Sequence, residues 1–486
     1  MQARILAVLA ALVLAVGSAW SGPLEDGLAA HARGDYANAM RILAPLAEKG
    51  NANAQYDLGL IYDNGQGVAQ DYPQAAKWYR LAAAQGMGKA QSNLGVMYER
   101  GQGVPRDYTE AARWYRLAAA RGIAKAQFNL AVLYERGQGV PKDYALALKW
   151  YRSAAAQGNA GAQFNLGLMY DNGQGVAADD AEAARWYGLA AQQGVAKAQS
   201  NLGLMYESGQ GVPRDYVLAL KWYRLAAERG IAKAQFNLGS MYARGLGAAA
   251  DPAEALKWYR LAAGQGVAKA QLNLGRMHEL GQGVAQNYAE ALKWYRLAAA
   301  QGDPDAQSYL GLLYERGQGV KQDYAEAIRW YRLAVAQGHA AAQYNLGVMY
   351  DYGQGVETDY AEAVKWYRLA AVQGDASAQR NLGLMYARSD GVAQDFAEAF
   401  KWSGLAAAQG EVGAMTDLGL LYERGQGVAR DPVRAYMWFH LAVVSAGSAT
   451  AAKSRDAIAV RMTPAQIAQA KELASGCLRR EYKGCD

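Results

Sequence analysis

Apolar residues recur at helical spacing in short paired segments along most of the chain. In the first clear pair, Ala54, Leu58, Ile61 and Tyr62 are spaced i, i+4, i+7 and i+8, which places them on one face of a helix. This pattern predicts a first helix from about residue 52 to 64. A second amphipathic segment begins at Asp71 and predicts a second helix that ends before Gly86.

The residues between the two predicted helices are typical of a tight helix–helix connection. Gly65-Gln66-Gly67-Val68 should end the first helix, because glycine accepts left-handed backbone angles at little cost. Asp71 is a good N-cap for the second helix. In seven repeats a glutamate follows three residues after this position, which predicts a reciprocal capping box. These glutamates are Glu110, Glu182, Glu254, Glu290, Glu326, Glu362 and Glu398.

The helix pair recurs with a fixed period of 36 residues, which the tryptophans mark. Eleven of the twelve tryptophans share one register: Trp78, Trp114, Trp150, Trp186, Trp222, Trp258, Trp294, Trp330, Trp366, Trp402 and Trp438. A fixed period of this length indicates stacked units that form one continuous core. We therefore predict an all-α solenoid of helix-turn-helix repeats, with the indole rings packed between neighbouring units.

The period also sets the expected organisation of the chain. Residues 51–446 should form eleven full repeats. Residues 20–50 carry a cruder copy of the unit and are predicted to be an atypical N-terminal repeat or cap. After residue 446 the register is lost, and Thr463-Pro464 has the pattern of a helix start. Residues 447–486 are therefore predicted to be a C-terminal helical cap.

The N-terminus is typical of a cleavable signal peptide. Arg4 precedes an unbroken apolar run from 5 to 16, and small residues at 17–19 offer a cleavage site. The run is shorter than the roughly 20 residues that span a bilayer. No cysteine follows the cleavage region, so we expect neither a lipid anchor nor a transmembrane segment. The predicted location is periplasmic or secreted, with residues 1–19 removed.

The chain has two cysteines, Cys477 and Cys485. In an oxidising compartment they could close a small C-terminal loop as a disulfide, and two free thiols are the alternative. Two cysteines alone make no zinc site.

A family is recognisable in the fixed positions of the repeat. The pattern Ala54-Gln55-x-x-Leu58-Gly59-x-x-Tyr62, then Gly65-x-Gly67-Val68, then Asp71 with Ala75-x-x-Trp78-Tyr79-x-x-Ala82-Ala83, resembles the Sel1-like repeat. That family is a relative of the tetratricopeptide repeat, and the resemblance covers roughly residues 51–446. It implies a right-handed superhelix and work as an interaction scaffold or adaptor, in bacteria often in the envelope or secreted.

The sequence carries little that indicates chemistry. The net charge of +6 comes from interleaved acidic and basic residues without a basic block, which argues against a nucleic-acid surface. The four histidines lie in different registers, and no nucleophile–base motif, phosphate loop or zinc-protease motif is present. We therefore expect no catalytic residue, cofactor or metal. Cysteine-rich members of the resembled family suggest a β-lactamase-like activity as an alternative, but no cysteine lies inside these repeats.

Positions that vary within the fixed frame are the candidates for ligand recognition. On the first helix, the position of Tyr56 changes between repeats, while the next position is mostly asparagine. Aromatic rings beside asparagine amides suit a groove that binds an extended peptide. The predicted partner-binding residues are Phe128, Phe164, Phe236 and Tyr344 with Asn129, Asn165, Asn237 and Asn345. The alternative is that these rings simply pack between neighbouring first helices.

Together these features predict a monomeric, non-catalytic scaffold outside the cytoplasm. Its partner would be a protein or peptide, such as a host or envelope protein, bound along the solenoid groove. Binding of cell-wall glycan or exopolysaccharide is the alternative from a different class of function.

Overall fold

The computed structural model describes residues 22–485, which form 26 α-helices and no β-strand. The first pair is α1 (Pro23–Ala32) and α2 (Tyr36–Glu48). The repeats then follow as pairs: α3 (Ala52–Asn64) and α4 (Tyr72–Ala84), α5 (Gly88–Arg100) and α6 (Tyr108–Ala120), α7 (Ala124–Arg136) and α8 (Tyr144–Ala156), α9 (Ala160–Asn172) and α10 (Asp180–Gln192), α11 (Ala196–Ser208) and α12 (Tyr216–Glu228), α13 (Ala232–Arg244) and α14 (Pro252–Gly264), α15 (Ala268–Leu280) and α16 (Tyr288–Ala300), α17 (Pro304–Arg316) and α18 (Tyr324–Val335), α19 (Ala340–Tyr352) and α20 (Tyr360–Val372), α21 (Ala376–Arg388) and α22 (Phe396–Ala407), and α23 (Val412–Arg424) and α24 (Pro432–Ala446). The last two helices are α25 (Ala449–Ala459) and α26 (Pro464–Arg479).

From α1 to α12, and again from α14 to α25, each helix packs against the next one in the chain, as expected for stacked repeats. The predicted all-α solenoid of helix pairs is therefore confirmed. Contacts group the chain into two compact units. Among the described residues, one unit contains 22–234 together with 246–248, and the other contains 235–245 and 249–485.

Glycines end the first helices as the sequence predicts. Gly65 adopts φ 66° and ψ 40° after α3, and its equivalents adopt similar left-handed angles. The tenth repeat has Ser389 at this position, where it takes the same conformation with φ 68°. Gly103 shows why the second glycine of the turn is needed. A Cβ atom there would lie 2.2 Å from the backbone oxygen of Tyr72 in the preceding repeat.

The second helices are capped differently from the sequence prediction. Asp107 accepts a hydrogen bond from the Glu110 backbone N–H, as an N-cap should. The Asp107 backbone N–H, however, donates to the carbonyl oxygen of Tyr98. Because that N–H is already satisfied, the Glu110 side chain pairs with Arg113 on the next turn instead. The capping boxes predicted for the repeats were wrong, whereas Thr463 and Gln466 form one at the start of α26.

Large aromatic side chains and small residues fill the interior of each repeat. Tyr79 on α4 is fully buried against Gly59 of α3, where a Cβ atom would lie 2.5 Å from the tyrosine ring. The indole rings of the regularly spaced tryptophans lie between repeats. Trp114, for example, belongs to a cluster with Ala75 of the preceding second helix and Leu94 of its own first helix. This packing explains why the tryptophan register is kept without a slip.

The two ends of the described chain differ from the repeats. The α1–α2 pair is tied to the first repeat by His31, whose ring nitrogens bond Asp57 Oδ1 (2.9 Å) and Gln66 Oε1 (3.1 Å). At the other end, α25 and α26 both pack against α24. Cys477 and Cys485 are joined by a disulfide, with 5.2 Å between their Cα atoms. The predicted signal peptide, residues 1–19, lies outside the described residues.

Candidate functional site

The predicted aromatic anchors lie half-buried on the first helices, each against a buried tyrosine of its own repeat. The ring centroids of Phe128 and Tyr151 are 5.8 Å apart. Phe164, Phe236 and Tyr344 pack on their tyrosines at 5.8–5.9 Å in the same way. One face of each ring is thus used for packing, and the remainder is accessible. We call these four side chains the aromatic row.

The structure also relates the aromatic row to the next repeat. A Cβ atom built on Gly161 would lie 3.1 Å from the edge of the Phe128 ring, so this ring reaches the following first helix. Contact between neighbouring first helices was the alternative interpretation of these rings. Packing and recognition are compatible here, because the rings are held in place and remain only partly covered.

The buried tyrosines that support the aromatic row belong to a recurring polar network. The hydroxyl of Tyr151 on α8 donates to Glu135 Oε2 at 2.5 Å, near the end of α7. In the following repeat, Asn165 Nδ2 donates to the same hydroxyl at 2.8 Å. Burial and the facing carboxylate raise the pKa of Tyr151, so its hydroxyl stays protonated and donates. We call this acid–tyrosine–asparagine arrangement the tyrosine network.

The acid–tyrosine bond of this network recurs in eight repeats, always between residues sixteen apart in sequence. The hydroxyl-to-carboxylate distances run from 2.5 to 3.1 Å. The pairs are Tyr79–Asp63, Tyr115–Glu99, Tyr151–Glu135, Tyr187–Asp171, Tyr223–Glu207, Tyr295–Glu279, Tyr331–Glu315 and Tyr367–Asp351. These bonds join the two helices of a repeat at the surface that carries the aromatic row.

The predicted asparagines therefore have structural contacts of their own. Asn129 faces the hydroxyl of Tyr115, and Asn345 faces that of Tyr331, in the manner of Asn165. Asn237 lies half-buried at the same position of its repeat, beside Phe236. The structure places each asparagine next to its aromatic neighbour on one helix. Hydrogen bonding of these amides to a partner stays a prediction.

Basic residues on the second helices pair with a glutamate of the preceding turn wherever a repeat has one. Arg185 pairs with Glu182 and lies over the Trp186 ring, 4.2 Å from its centroid. A second basic position lies three residues after the first, and on α6 it is Arg116. Arg116 donates to the hydroxyl of Tyr134 in the next repeat at 3.1 Å. The glutamate pairs offset part of the positive charge of the second helices, and the tyrosine hydroxyls give the arginines neutral partners.

Sequence reasoning missed the tyrosine network and the places where it is interrupted. The sixth repeat has Ala243 where eight others place an acid that bonds the tyrosine, and the tenth repeat has Ser403 where most place the tyrosine. A cavity lies at each of these two places. A position-by-position comparison of the acids and tyrosines would have revealed both interruptions. Their spatial meaning depends on knowing that the two positions touch.

Two kinds of site are not found in the described part of the chain. No helix between residues 22 and 485 combines the length and the apolar character that crossing a membrane requires. Within the same residues, no three histidine, cysteine, aspartate or glutamate side chains converge as metal ligands would.

The fold and its repeated surface define a helical-repeat solenoid of the kind that commonly serves as a non-catalytic interaction scaffold. The Sel1 repeat model matches eleven consecutive segments: 52–87, 88–123, 124–159, 160–195, 196–231, 232–267, 268–303, 304–339, 340–375, 376–411 and 412–443. The chain belongs to the Sel1 repeat family. The resemblance seen in the sequence is thereby confirmed.

Solved structures of the same family are similar to this chain. The c5321 protein, a protective antigen present in uropathogenic Escherichia coli strains, is 38% identical, with a TM-score of 0.85 over 92% of this chain and 96% of its own. A Sel1 repeat protein from Oxalobacter formigenes is 38% identical, with a TM-score of 0.51 over 64% of this chain and 89% of its own. No curated protein matches the chain.

Proposed function

We propose that this protein is a non-catalytic scaffold that binds a protein or peptide along its first helices, outside the cytoplasm. The aromatic row is the observation that carries the proposal. Its position varies between repeats within a frame that is otherwise nearly constant, and its rings are partly accessible. Residues that vary on a fixed repeat scaffold are those free to be selected for a ligand.

The rings of the aromatic row are suited to be anchors because they are already ordered. Phe128 and Phe164 each rest on a fully buried tyrosine at 5.8–5.9 Å. A side chain that is fixed before binding loses little rotamer entropy when it is covered, so more of the contact energy appears as affinity. Exposed Lys125 and Lys197 on α7 and α11 add positive charge to this surface. We infer a partner that combines apolar side chains with acidic ones.

Placement outside the cytoplasm has independent support. The sequence of residues 1–19 has the composition of a signal peptide. The disulfide between Cys477 and Cys485 is of the kind that persists in oxidising compartments. The 38% identical c5321 protein is described as a protective antigen, which fits a location that antibodies can reach.

Affinity capture from the native envelope and culture fluid tests the binding surface. The bait is the wild-type chain or the double variant Phe128→Ser/Phe164→Ser. One central aromatic anchor contributes about 2 kcal/mol or more, and the losses at two anchors do not simply add, so we expect affinity for the identified partner to fall by at least about thirtyfold. Circular dichroism should show unchanged helix content, since the supporting tyrosines remain.

The double variant Leu81→Ser/Leu117→Ser is the matched control. These leucines are exposed on second helices of the same unit, so the control also replaces two apolar side chains by serine, but away from the proposed surface. Capture that is lost equally in both variants, or retained in the phenylalanine variant, would refute the proposed surface. Capture of purified sacculi by wild type but not by the phenylalanine variant would assign the surface to glycan instead. N-terminal sequencing of the fractionated mature protein checks export, with Trp20 expected as its first residue.

A further inference from the structure

Tyr259 has a hydroxyl group, but the acidic side chain that accepts the hydrogen bond of this hydroxyl in other repeats is missing. In eight repeats the equivalent tyrosine donates to an aspartate or glutamate sixteen residues earlier, and in the sixth repeat that residue is Ala243. Tyr259 is 4% exposed, so its hydroxyl lies in the same kind of buried setting. Its near neighbours are Ser240 and Asn273, which are neutral.

In the two other irregular repeats, no tyrosine hydroxyl is left without its carboxylate. In the tenth repeat, Ala387 replaces the acid and Ser403 replaces the tyrosine. In the eleventh repeat, Phe439 has no hydroxyl, and the corresponding Glu423 forms an ion pair with Arg461 of the C-terminal segment instead. Among the eleven repeats, the sixth alone retains the donor without its carboxylate.

The space beside Tyr259 is a pocket with two arginines. A cavity of about 460 Å³ is lined by residues of α13, α14 and α15, among them Ser240, Ala243, Arg244, Tyr259, Asn273 and Arg276. Nine repeats have leucine or valine at the position of Ser240 and Arg276, so both polar exceptions fall in the two repeats that border this pocket. Burial raises the pKa of Tyr259, which keeps the phenol protonated as a donor, while both guanidinium groups act on it electrostatically.

The two arginines have no acidic partner in the described part of the chain. Within residues 22–485 neither Arg244 nor Arg276 lies within 4.0 Å of a carboxylate oxygen, and both are exposed. The guanidinium of Arg276 instead lies over the Tyr309 ring, 5.6 Å from its centroid. Contact with this ring holds the arginine side chain against the surface while leaving its N–H groups available.

We infer that this pocket binds the carboxylate of an acidic side chain from a polypeptide partner. The other repeats show which group fits in the space beside Ala243. Eight of them place a carboxylate oxygen there, 2.5–3.1 Å from the tyrosine hydroxyl. A ligand carboxylate at this position accepts from Tyr259, and the planar arginine forks match its two oxygens. The pocket volume falls within the range of small-ligand sites and accommodates a glutamate side chain.

The identification of the ligand as a polypeptide rests on the proposed function, whereas the preference for a carboxylate rests on the pocket alone. A fluorescein-labelled hexaglutamate peptide is the probe, followed by fluorescence polarisation with the full-length protein. Hexaglutamine with the same label tests whether charge is required. Unlabelled oligogalacturonate, which carries its carboxylates on sugars, competes in a separate arm.

Ala243→Glu is the informative variant, because it restores the acid that other repeats have at this position. The new side chain should occupy the carboxylate position and weaken hexaglutamate binding at least about tenfold. Arg276→Leu, which installs the residue that the eighth repeat has as Leu312, should weaken binding to a similar extent. Ala300→Glu is the matched control, since it adds the same charge at an exposed position where the fifth repeat has Glu228. It should leave binding within about twofold of wild type.

The outcomes separate the alternatives. Equal binding by Ala243→Glu and Ala300→Glu, or no hexaglutamate binding by wild type, would overturn the pocket assignment. Displacement of the probe by oligogalacturonate at lower concentration than by free hexaglutamate would overturn the assignment to a polypeptide. A thermal scan gives a ligand-free readout, in which Ala243→Glu should raise Tm and Ala300→Glu should not. Partner capture through Phe128 and Phe164 is measured separately, so either proposal can fail without the other.

Discussion

Loss of one phenolic hydroxyl from the tyrosine network should loosen two neighbouring repeats. Tyr151 is fully buried and links three helices, since it donates to Glu135 at the end of α7 and accepts from Asn165 on α9. Tyr151→Phe keeps the ring and its packing but removes both bonds. A hydrogen bond to a charged group contributes about 1.5–3 kcal/mol and a neutral one about 1 kcal/mol. Glu135 is only half-buried and can regain water, which places the total near 2 kcal/mol.

The measurement should be local, because a long repeat array need not unfold in one step. Hydrogen exchange followed by mass spectrometry can report the opening of residues 124–172 separately from the rest of the chain. A loss of about 2 kcal/mol corresponds to about thirtyfold faster exchange in these peptides. Peptides from residues 52–84 should exchange as in wild type.

Tyr259→Phe is the matched comparison, because the same position in the sixth repeat has no carboxylate partner. Its hydroxyl faces the neutral Ser240 and Asn273, so we expect a loss of about 0.5–1 kcal/mol and exchange only about two- to fivefold faster. A double-mutant cycle between Tyr151→Phe and Glu135→Gln should give a coupling energy of about 1 kcal/mol or more. Equal effects of the two tyrosine variants, or a coupling near zero, would contradict the assigned role of the acid.

Three further predictions concern irregular positions. Burial lowers the pKa of His278, whose Nδ1 has no hydrogen-bond partner among the described residues. As the pH falls, the unfolded chain therefore takes up the proton before the folded chain does. The free energy of unfolding should decrease once the pH is lowered past about 6.5. His278→Tyr offers Arg260 the hydroxyl that equivalent arginines bond, so denaturation followed at pH 5 and pH 8 should show about 1 kcal/mol more stability and less acid sensitivity. Ser389 has φ 68° where ten repeats have glycine, so Ser389→Gly should stabilise the protein by about 1 kcal/mol. A thermal scan should show a higher melting temperature, and an unchanged one would argue against this conformation. Reduction of the Cys477–Cys485 disulfide should loosen α26 by about 2–3 kcal/mol, seen as faster exchange of residues 464–479 with dithiothreitol, while residues 88–120 stay unchanged.

The sequence by itself determined the architecture, because the signals that specify it are local and repeated. The spacing of Leu58, Trp78 and Gly65 sets helix, register and turn within a few residues, and eleven copies of the same signals leave no competing periodicity. Helix bounds, the N-cap at Asp71 and the left-handed glycines could all be predicted for this reason. The capping boxes could not, since the Tyr98 carbonyl that satisfies the Asp107 N–H is brought there by the turn.

The tertiary structure decided which side chains meet. Tyr151, Glu135 and Asn165 are separated by more than a dozen residues in sequence, and only the stacking of α7, α8 and α9 makes them one network. The same stacking shows that Ala243 replaces a carboxylate beside Tyr259, and it brings Arg276 of the next repeat to the same pocket. Contacts across a repeat boundary depend on how far each helix pair is rotated and shifted against the next. That placement follows from the fit of bulky and small residues over whole helices, which no single sequence motif records.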